Sequence, residues 1–538
     1  MKAHLLFRDR DIDWRWVRDA ASVREAARSG RRHQMPDFDP RAGLPWNEDA
    51  LRRDLALDAV WTAMAGGDDH VFEAARSVTL AGVAGNLDAM HYRQDVLRDC
   101  LGEPVVVREL YGLAVEAVTK QRGHYLGPLA RHPDSVLHDA VESMAALVGS
   151  LRRLREIADR HGPRFVSEGW TAFFRMARRE LDDDYLALVE SHLDDLRLRH
   201  GVSLSAELGR ANKGQRYLLH RARQRKWTLR DWWAGLFADT PRAFTFEVHP
   251  RDEAGARALG ELRQRGVSTA ARALAQAADH VREFFGMLRA EAAFYVGCLN
   301  VHDALVDRGE PTCIPEVFAP DERRLLCRGL YDVALALTIG GRVVGNDVDA
   351  DGKALVIITG PNTGGKSTFL RSVGLAQLLM QCGMFVPATA FAASLRDGVC
   401  THFKREEDAA MESGKFDEEL DRMSDIVDHI GPRSLILFNE PFAATNEREG
   451  SEIARQIMAA LLERGVRIVC VTHMFELAHG FHEGDVGQTL FLRAARRADG
   501  VRTFKLAEGE PLPTSFGEDL YRRIFGAAPD NRSQGWRR

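Results

Sequence analysis

The hydrophobic pattern of the chain changes near residue 310, and this change constrains the fold more than any other feature. Between residues 56 and 310 the apolar residues recur every three or four positions, which is typical of helices with one buried face. After that point three apolar runs with polar ends alternate with helical segments: KALVIITG (353–360), RSLILFNE (433–440) and VRIVCVTH (466–473). Such runs predict buried parallel strands whose carboxyl ends carry polar side chains. The sequence therefore joins a helical half to an α/β half.

Three segments are predicted, because 538 residues exceed what one hydrophobic core usually serves. Residues 1–55 are polar and interrupted by proline, and we interpret them as an N-terminal extension. Residues 56–310 are predicted to form a helical core with long levers, and residues 311–538 to form the α/β domain with its dimer contacts. The clearest single helix is predicted within 134–162. Its apolar stripe consists of Leu137, Val141, Met144, Leu147, Val148, Leu151 and Leu154.

The composition excludes several classes of protein. Lysine and arginine total 73 and aspartate and glutamate total 78, so the formal net charge of −5 excludes a uniformly basic nucleic-acid coat but not a local basic patch. The seven cysteines are scattered without a C-x-x-C pair, which disfavours a disulfide framework and a zinc site and fits a reducing cytoplasm. No apolar run approaches the roughly 20 residues of a membrane span, and the N-terminus lacks a signal-peptide core. We expect a cytoplasmic protein with no membrane partner.

The segment GPNTGGKS (360–367) fits the pattern G-x-x-x-x-G-K-[ST], with an apolar run before it and a helical segment after it. The glycines of such a loop let backbone N–H groups point at phosphate oxygens, and the N-terminus of the following helix adds its dipole. Lys366 is predicted to contact the β- and γ-phosphates, and Ser367 to ligate Mg²⁺. A glycine-rich turn containing a lysine by chance is disfavoured by the strand and helix on either side. The sequence therefore predicts ATP and Mg²⁺ as ligands.

Two further polar positions end predicted strands. Glu440, at the end of SLILFNE, is predicted to be the general base that orients water at the γ-phosphate. Asn439 stands before it, where strands of this kind normally carry Asp. We expect weaker Mg²⁺ binding rather than none, because Ser367 and the phosphates also hold the ion. His473, at the end of CVTH, is predicted to lie near the γ-phosphate because of its position at a strand end.

Five stretches after residue 357 are specific enough to identify a family. They are ITGPNTGGKSTFLRSVGLAQLLMQCGMFVPA (358–388), ESGKFDEELDRMSDIVDHIGPRSLILFNEP (412–441), ATNEREGSEIA (444–454), VTHMFELA (471–478) and FKLAEGEPLPTSFGEDL (504–520). In these the chain resembles the MutS family of DNA mismatch-repair ATPases, and weaker matches lie upstream. The resemblance implies a multidomain fold, in which an α-helical core and lever domain precedes an α/β P-loop ATPase domain of the ABC/MutS type.

The resemblance also implies a role for each matching position. The residues expected to contact the nucleotide are Gly360, Pro361, Asn362, Thr363, Gly364, Gly365, Lys366, Ser367 and Thr368. Among the catalytic residues, Asn362 would contact the γ-phosphate, Glu440 would be the base and His473 the sensor. Mg²⁺ would be held by Ser367, Asn439 and Glu440.

A homodimer is implied by other matching residues. Ser413 and Gly414 of ESGKF fall where the family presents a signature to the nucleotide of the partner subunit. Thr445 and Glu449 would lie on the loop that crosses between the two sites. Each nucleotide site would then be composite, and neither chain would complete its site alone.

Three features depart from the family pattern. Asn439 replaces the metal-side Asp. The family's mismatch-reading domain is expected to be absent, because only about 55 residues precede the helical half and the first hundred contain no Phe-x-Glu wedge. Little of the C-terminal helical segment that supports dimerisation follows FGEDLYRRIFG (516–526). We therefore expect an active but slowed ATPase without wedge-type mismatch reading.

The richest basic stretch is RANKGQRYLLHRARQRKWTLR (210–230), which contains no acidic residue. Tyr217 and Trp227 interleave with its charges, a pattern that is typical of salt-dependent contact with the phosphate backbone. It lies in the predicted clamp region, near residues 205–250, which corresponds to the place where the levers of the family end in DNA clamps. The alternative is a solvated helix face with tryptophans in a core. The residues predicted to contact DNA are Arg210, Lys213, Arg216, Arg221, Arg223, Arg225 and Lys226.

The leading hypothesis is a dimeric clamp on duplex, mismatched or branched DNA, in mismatch repair or recombination, with slow ATP turnover that drives a conformational switch. A chromosome-organising ATPase would separate the two nucleotide motifs, whereas here Gly360 and Glu440 are 80 residues apart. A transporter subunit would not need the long helical half. A third hypothesis, suggested by Asn439, is a nucleotide-binding ABC-type scaffold with little hydrolysis and no mismatch recognition. The preferred DNA structure and the downstream partners stay open.

Overall fold

The computed structural model describes residues 1–9, 14–29, 44–81, 87–119, 133–199, 201–210, 214–221, 247–249, 251–405, 414–484, 488–497 and 501–512. Contacts between Cα atoms divide the chain into two compact units. Unit 1 consists of Met1–Ala3, Arg108–Val166 and Trp170–Arg289. Unit 2 consists of His4–Val107, Ser167–Gly169 and Ala290–Arg538.

The described part of the chain is rich in helices, and most of its strands follow residue 310. The α-helices, α1 to α15, are Trp14–Arg28, Glu48–Asp54, Leu57–Ala65, Asp69–Ala81, Leu87–Gly102, Pro104–Thr119, Pro133–His161, Glu168–Glu180, Asp183–Leu196, Glu253–Val306, Val333–Thr338, Lys366–Gln381, Lys415–His429, Glu447–Glu463 and Phe475–Gly484. The strands, β1 to β12, are Ser203–Leu208, Gly214–His220, Glu316–Phe318, Leu325–Leu330, Asn346–Asp349, Leu355–Thr359, Ala390–Ser394, Val399–Phe403, Leu435–Asn439, Arg467–Val471, Thr489–Arg496 and Arg502–Glu508. The multidomain, helix-rich chain with mixed α/β sheets is thereby confirmed.

Unit 1 is built around the helix α7. The seven apolar residues of the predicted stripe, from Leu137 to Leu154, are all buried, which confirms that prediction. Leu137 and Val141 form a cluster with Val267 and Ala271 of α10. Burial of this apolar stripe stabilises the folded state by roughly 25 cal/mol per Å² of apolar surface removed from water. Packing of an apolar face contributes more to the stability of a helix in a protein than its intrinsic propensity does.

Unit 1 also contains a two-stranded antiparallel hairpin. β1 pairs with β2, with Ser203 opposite His220 and Leu208 opposite Gly214, and the register shifts between Ser205 and Glu207. The part of the predicted basic stretch in 214–220 is therefore a strand rather than a helix face. Successive side chains of a strand point to opposite faces, so its charges do not form one continuous stripe.

Unit 2 is organised around a six-stranded sheet with the order β12-β11-β6-β10-β9-β8. β6, β10 and β9 are the three strands predicted from the apolar runs, and they lie side by side and parallel. β8 and β11 continue the parallel arrangement on the two sides, and β12 is antiparallel to β11. Every residue of β6 and β10 is buried, as expected of parallel strands covered by helices. This topology brings the carboxyl ends of the three predicted strands to one edge.

A second sheet of unit 2 has four strands in the order β3-β7-β4-β5.

The segment around α2 packs against the end strand β8 of the larger sheet. Asn47 donates a hydrogen bond from Nδ2 to the carbonyl oxygen of Val399 at 2.8 Å, and the ring of Trp46 stacks on His429 with centroids 4.4 Å apart. This part of the predicted N-terminal extension therefore covers a sheet edge that would otherwise present unpaired backbone groups.

None of the described helices is long and apolar enough to cross a membrane. All seven cysteines are free thiols, and six of them are buried. Burial raises the pKa of Cys400 to about 12, so this thiol is a weak nucleophile at neutral pH.

Candidate functional site

The carboxyl ends of β6, β9 and β10 form one continuous edge in unit 2. In the register of the sheet, Val471 of β10 lies beside both Ile358 of β6 and Asn439 of β9. Because the three parallel strands end at the same level, the loop after β6, the pair after β9 and the His after β10 meet there. The predicted convergence of GPNTGGKS, Asn439-Glu440 and His473 is what this register produces.

The loop from Gly360 to Gly365 connects β6 to α12, and its glycines are required by its shape. Gly360 has φ +112° and Gly365 has φ +90°, in the left-handed region where side chains are strained. At Gly364 the constraint is space, since an added Cβ would lie 2.8 Å from the carbonyl oxygen of Pro361. The concave inner surface of the loop is therefore lined by backbone, at the N-terminus of a 16-residue helix, which suits an anion.

Lys366, the first residue of α12, lies inside this loop. Its side chain is 5% exposed, and its Nζ donates hydrogen bonds to the carbonyl oxygens of Gly360 and Pro361, both at 2.9 Å. Burial lowers the pKa of Lys366, and the nearby carboxylate of Glu440 acts in the opposite direction. The ammonium group is thus held at the centre of the loop by the backbone that surrounds it.

Ser367 and Asn439 bring two oxygen atoms together across the sheet edge. The hydroxyl of Ser367 donates to Oδ1 of Asn439 at 2.8 Å. Hydroxyl and amide oxygens are ligands that Mg²⁺ accepts beside phosphate oxygens, so these residues fit the ion. Neither side chain is charged, which is the difference from a strand that ends in Asp.

Glu440 lies in a strained and polar setting. Its φ is +53°, which is unusual for a residue with a side chain, and its backbone N–H donates to the carbonyl oxygen of Val471 at 2.8 Å. Oε1 lies 3.6 Å from Nδ1 of His473, and Oε2 lies 4.0 Å from Nζ of Lys404. The contact with His473 lowers the pKa of Glu440, while partial burial acts the other way. The carboxylate is therefore ionised at neutral pH.

Two residues near the end of β9 were not predicted from the sequence. Lys404 follows β8, and the β8–β9 register places Phe403 beside Asn439. Glu419 of α13 accepts a hydrogen bond from the backbone N–H of Phe442 at 2.6 Å and so holds the turn after β9. The signal for Lys404 was available, because it is the first charged residue after the apolar run VCTHF.

A cavity of about 360 Å³ opens beside the loop, within unit 2. The loop and the start of α12 contribute Thr363, Gly365 and Thr368 to its lining. The opposite wall is mainly apolar and includes Ile339, Val343, Val344 and Phe504. Phe504 is 48% exposed, an unusual exposure for so large an apolar side chain. Its position on β12, about 140 residues after the loop, gave no sequence signal for this wall.

The remaining predicted residues are distributed as follows. Asn362 is exposed in the loop, and Gly414 precedes the first residue of α13. The hydroxyl of Thr445 donates to Oε2 of Glu449 at 2.9 Å. Ser413 lies outside the described residues.

The predicted DNA contacts belong to unit 1. Within the described residues, Arg216 pairs with Glu207 of the neighbouring strand at 3.3 Å, and Nε of Arg221 lies 2.6 Å from Asp195 of α9. Sequence reasoning missed both acids, because they precede the basic stretch in the chain and reach it only through pairing and packing. Arg210 is described and exposed. The other predicted contacts, Lys213, Arg223, Arg225 and Lys226, lie outside the described residues.

Comparison with known proteins supports the family. The MutS2 N-terminal domain matches residues 85–308, and MutS domain V matches residues 356–522. The DNA mismatch repair protein MutS of Chloroflexus aurantiacus is 32% identical over 190 residues, which cover 32% of this chain and 20% of that protein. The endonuclease MutS2 of Lacticaseibacillus casei is 31% identical over 223 residues, 41% of this chain and 28% of that protein.

A third relative, the endonuclease MutS2 of Geobacillus kaustophilus, is 34% identical over 148 residues, which cover 27% of this chain and 19% of that protein. The chain thus spans between 19% and 28% of the length of these curated relatives. The domain that matches residues 85–308 is named for MutS2, a relationship that the sequence motifs had not indicated. The two domain matches fall on both sides of the change in pattern near residue 310, and the chain belongs to the MutS family.

Proposed function

We propose that this chain is a cytoplasmic, ATP-dependent DNA-binding protein that forms a dimeric clamp on duplex, mismatched or branched DNA, with ATP hydrolysis driving a conformational switch. The role would be in mismatch repair or recombination. The observation that carries the proposal is the convergence of Lys366, Ser367 and Glu440 at one edge of a parallel sheet, in a MutS-family chain. The DNA part rests on relatives named for DNA mismatch repair.

The phosphates of ATP would bind in the loop 360–365. The backbone N–H groups of the loop and the N-terminus of α12 would favour negative charge, and Lys366 would exchange its two carbonyl partners for phosphate oxygens. Ser367 and Asn439 would hold Mg²⁺ with the phosphates, and Glu440 would join through water. When bound, Mg²⁺ neutralises charge on the β- and γ-phosphates.

Glu440 would act as the base. Its carboxylate is kept ionised by His473, and its backbone is held by a hydrogen bond to the neighbouring strand. A carboxylate in this position orients water and accepts its proton as water attacks the γ-phosphate. His473 and Lys404 contact the two carboxylate oxygens and would position the base, while Asn362 would contact the γ-phosphate from the loop.

The cavity of about 360 Å³ would accept the adenine base. It adjoins the loop at Thr363 and Gly365, and its far wall offers the apolar side chains of Val344 and Phe504. A flat aromatic ring of a ligand is stabilised by such contact, with affinity provided mainly by burial.

Dimerisation would complete the site. Ser413 and Gly414 would be presented to the nucleotide of the partner subunit, with Thr445 and Glu449 on the crossing loop. The proposal is supported by the position of Gly414 at the start of α13, whose dipole favours a phosphate in front of it. DNA would be held through the hairpin β1–β2 and the basic stretch that follows it, mainly by phosphate contacts.

The proposal is tested by the ATPase rate of the wild type without DNA and with linear, mismatched and four-way-junction DNA. We expect stimulation by at least one of them, because clamp closure couples DNA to the nucleotide site. The variant Glu440→Gln gives the background rate. Absence of stimulation by every DNA, in a preparation that hydrolyses ATP, would overturn the clamp and leave the ATPase.

A second candidate function is a nucleotide-binding scaffold with little hydrolysis, and Asn439 favours it. The test is the pair of variants Asn439→Asp and Asn439→Ala, measured for ATPase rate against Mg²⁺ concentration. For a slowed ATPase we expect Asp to lower the Mg²⁺ requirement and raise the rate, since it restores the charge that Asn lacks. A wild-type rate that equals the Glu440→Gln background would establish the scaffold.

A further inference from the structure

A second charged cavity lies in unit 2 at the opposite ends of the same strands. Lys353 precedes β6, Arg467 begins β10, and Arg396 lies between β7 and β8. β6 has five residues, so this cavity lies about 15 Å from the phosphate loop along the strand direction. Four basic residues line it, Arg323, Lys353, Arg396 and Arg467, and the described lining includes no acidic residue.

Two of these arginines are almost completely buried. Arg396 and Arg467 are each 3% exposed. Nη1 of Arg467 donates to the carbonyl oxygens of Arg323 and Arg324, both at 3.1 Å, so backbone dipoles rather than a carboxylate hold this guanidinium. Nη2 of Arg467 donates to the carbonyl oxygen of Ala350 at 2.5 Å. Within the described residues, Nε of Arg467 and Nη2 of Arg396 make no hydrogen bond.

The acids of this region are engaged with other arginines. Asp351 pairs with Arg324 at 3.1 Å, and Asp397 pairs with Arg433 at 3.0 Å. Neither Arg396 nor Arg467 forms an ion pair with any acid in the described ranges. The positive charge of these two arginines is therefore not neutralised by a direct ion pair, and Asp397 and Asp351 act on it only at longer range.

The positive charges of Arg396 and Arg467 persist at neutral pH, although burial of a charge is unfavourable. Burial lowers the pKa of Arg467 to about 9, with the charge of Arg396 acting in the same direction. Burial likewise lowers the pKa of Arg396 to about 10, with Arg323 adding to the shift and Asp397 opposing it. Both guanidinium groups thus stay protonated at pH 7. A buried charge of this kind is stable only where a counter-charge or hydrogen-bond acceptors reach it.

We propose that this cavity is a binding site for a small tetrahedral oxyanion of phosphate chemistry, separate from the candidate ATP site. Its volume of about 30 Å³ exceeds the roughly 10–15 Å³ that one water needs. It is far below the 360 Å³ of the cavity beside the phosphate loop, so a nucleotide does not fit. Guanidinium groups provide parallel donors that match the oxygens of such an anion. The bound anion would join the ends of three strands that meet at this edge.

The experiment is a titration with inorganic phosphate at constant ionic strength, followed by thermal unfolding and by calorimetry. It is made in the variant Lys366→Ala, so that phosphate binding at the loop does not contribute. We expect saturable binding and a rise in Tm of about 1–3 °C. Adding Arg396→Gln should abolish both, whereas adding Arg455→Gln, which removes an exposed arginine that pairs with Glu452 and does not line the cavity, should leave both unchanged.

Arg323→Gln provides an independent arm, because Arg323 is exposed and its replacement disturbs no buried packing. We expect it to weaken phosphate binding several-fold even if the Arg396 variant does not fold. Titration with glycerol phosphate distinguishes a free ion from a phosphate monoester, since the small cavity should bind only the free ion. Equal phosphate binding in the Lys366→Ala protein with and without Arg323→Gln and Arg396→Gln would overturn the proposal, as would no binding in Lys366→Ala alone.

Discussion

The candidate ATP site in unit 2 and the basic hairpin in unit 1 place their charges in opposite ways. Lys366 is 5% exposed and has two carbonyl partners fixed by the loop that contains it. The side chain of Arg216 is 79% exposed, and its partner Glu207 is 66% exposed. A buried charge interacts strongly with whatever enters its loop, whereas exposed pairs are screened by water and salt. Substitutions should therefore change function by orders of magnitude in unit 2 and by smaller, salt-dependent factors in the hairpin.

The largest effect is expected from Glu440→Gln. It removes the proposed base and keeps the size of the side chain, so the ATPase rate constant should fall about 10²- to 10⁴-fold while ATP binding is retained. Single-turnover hydrolysis and equilibrium nucleotide binding measure the two quantities separately. Glu476→Gln, at an exposed glutamate in the first turn of α15, is the matched control. A rate within threefold of the wild type would show that Glu440 is not the base.

Lys366→Ala should affect binding where Glu440→Gln affects chemistry. Loss of this buried ammonium should weaken ATP binding and lower kcat/KM by about 10²- to 10³-fold, the range observed when one charged or dipolar contact to a reacting group is removed. Fluorescent-nucleotide binding reports the first quantity. If this variant bound ATP as tightly as Glu440→Gln does, the loop 360–365 would not be the phosphate site.

The hairpin should show a smaller effect that depends on salt. In the double variant Arg210→Gln with Arg216→Gln, DNA affinity should fall for every sequence, and the slope of log affinity against log salt should decrease by about 2 if each arginine contacts one phosphate. The smaller loss at Arg216, which is partly neutralised by Glu207, can be separated in the single variants. Arg152→Gln, at an exposed arginine of unit 1 paired with Glu190, controls for net charge. An equal change of slope in the control would remove the hairpin from the DNA surface.

The smallest effect is expected from His473→Ala and concerns pH. In the wild type His473 holds the pKa of Glu440 below its usual value, so the base stays ionised and the rate is lost only when pH falls through that lowered value. Without His473, partial burial of the carboxyl is opposed only by the charges of Lys404 and Lys366. The pKa of Glu440 should therefore rise, and the acid limb of kcat/KM should move to higher pH. His479→Ala, at an exposed histidine of α15, is the control. An unmoved acid limb would limit His473 to a role that does not involve Glu440.

The sequence alone determined the elements whose signal is local. The apolar runs before Gly360, Glu440 and His473 predicted three strands, and these are adjacent and parallel in unit 2. The spacing of GPNTGGKS predicted a loop whose glycines have positive φ or no space for a side chain. Such features are readable because backbone conformation and strand polarity restrict which residues can occur there.

Only the tertiary structure decided which distant residues act together. Phe504 reaches the wall of the cavity beside the loop because β12 folds back along the sheet, and Glu207 reaches Arg216 because β1 pairs with β2. Arg396 and Arg467 are 71 positions apart in the sequence. They line the same charged cavity because the strands beside them end at the same edge of the fold. Sequence patterns report the environment of a residue along its own helix or strand. The partners that set its charge, burial and space come from elsewhere in the chain, and packing alone brings them together.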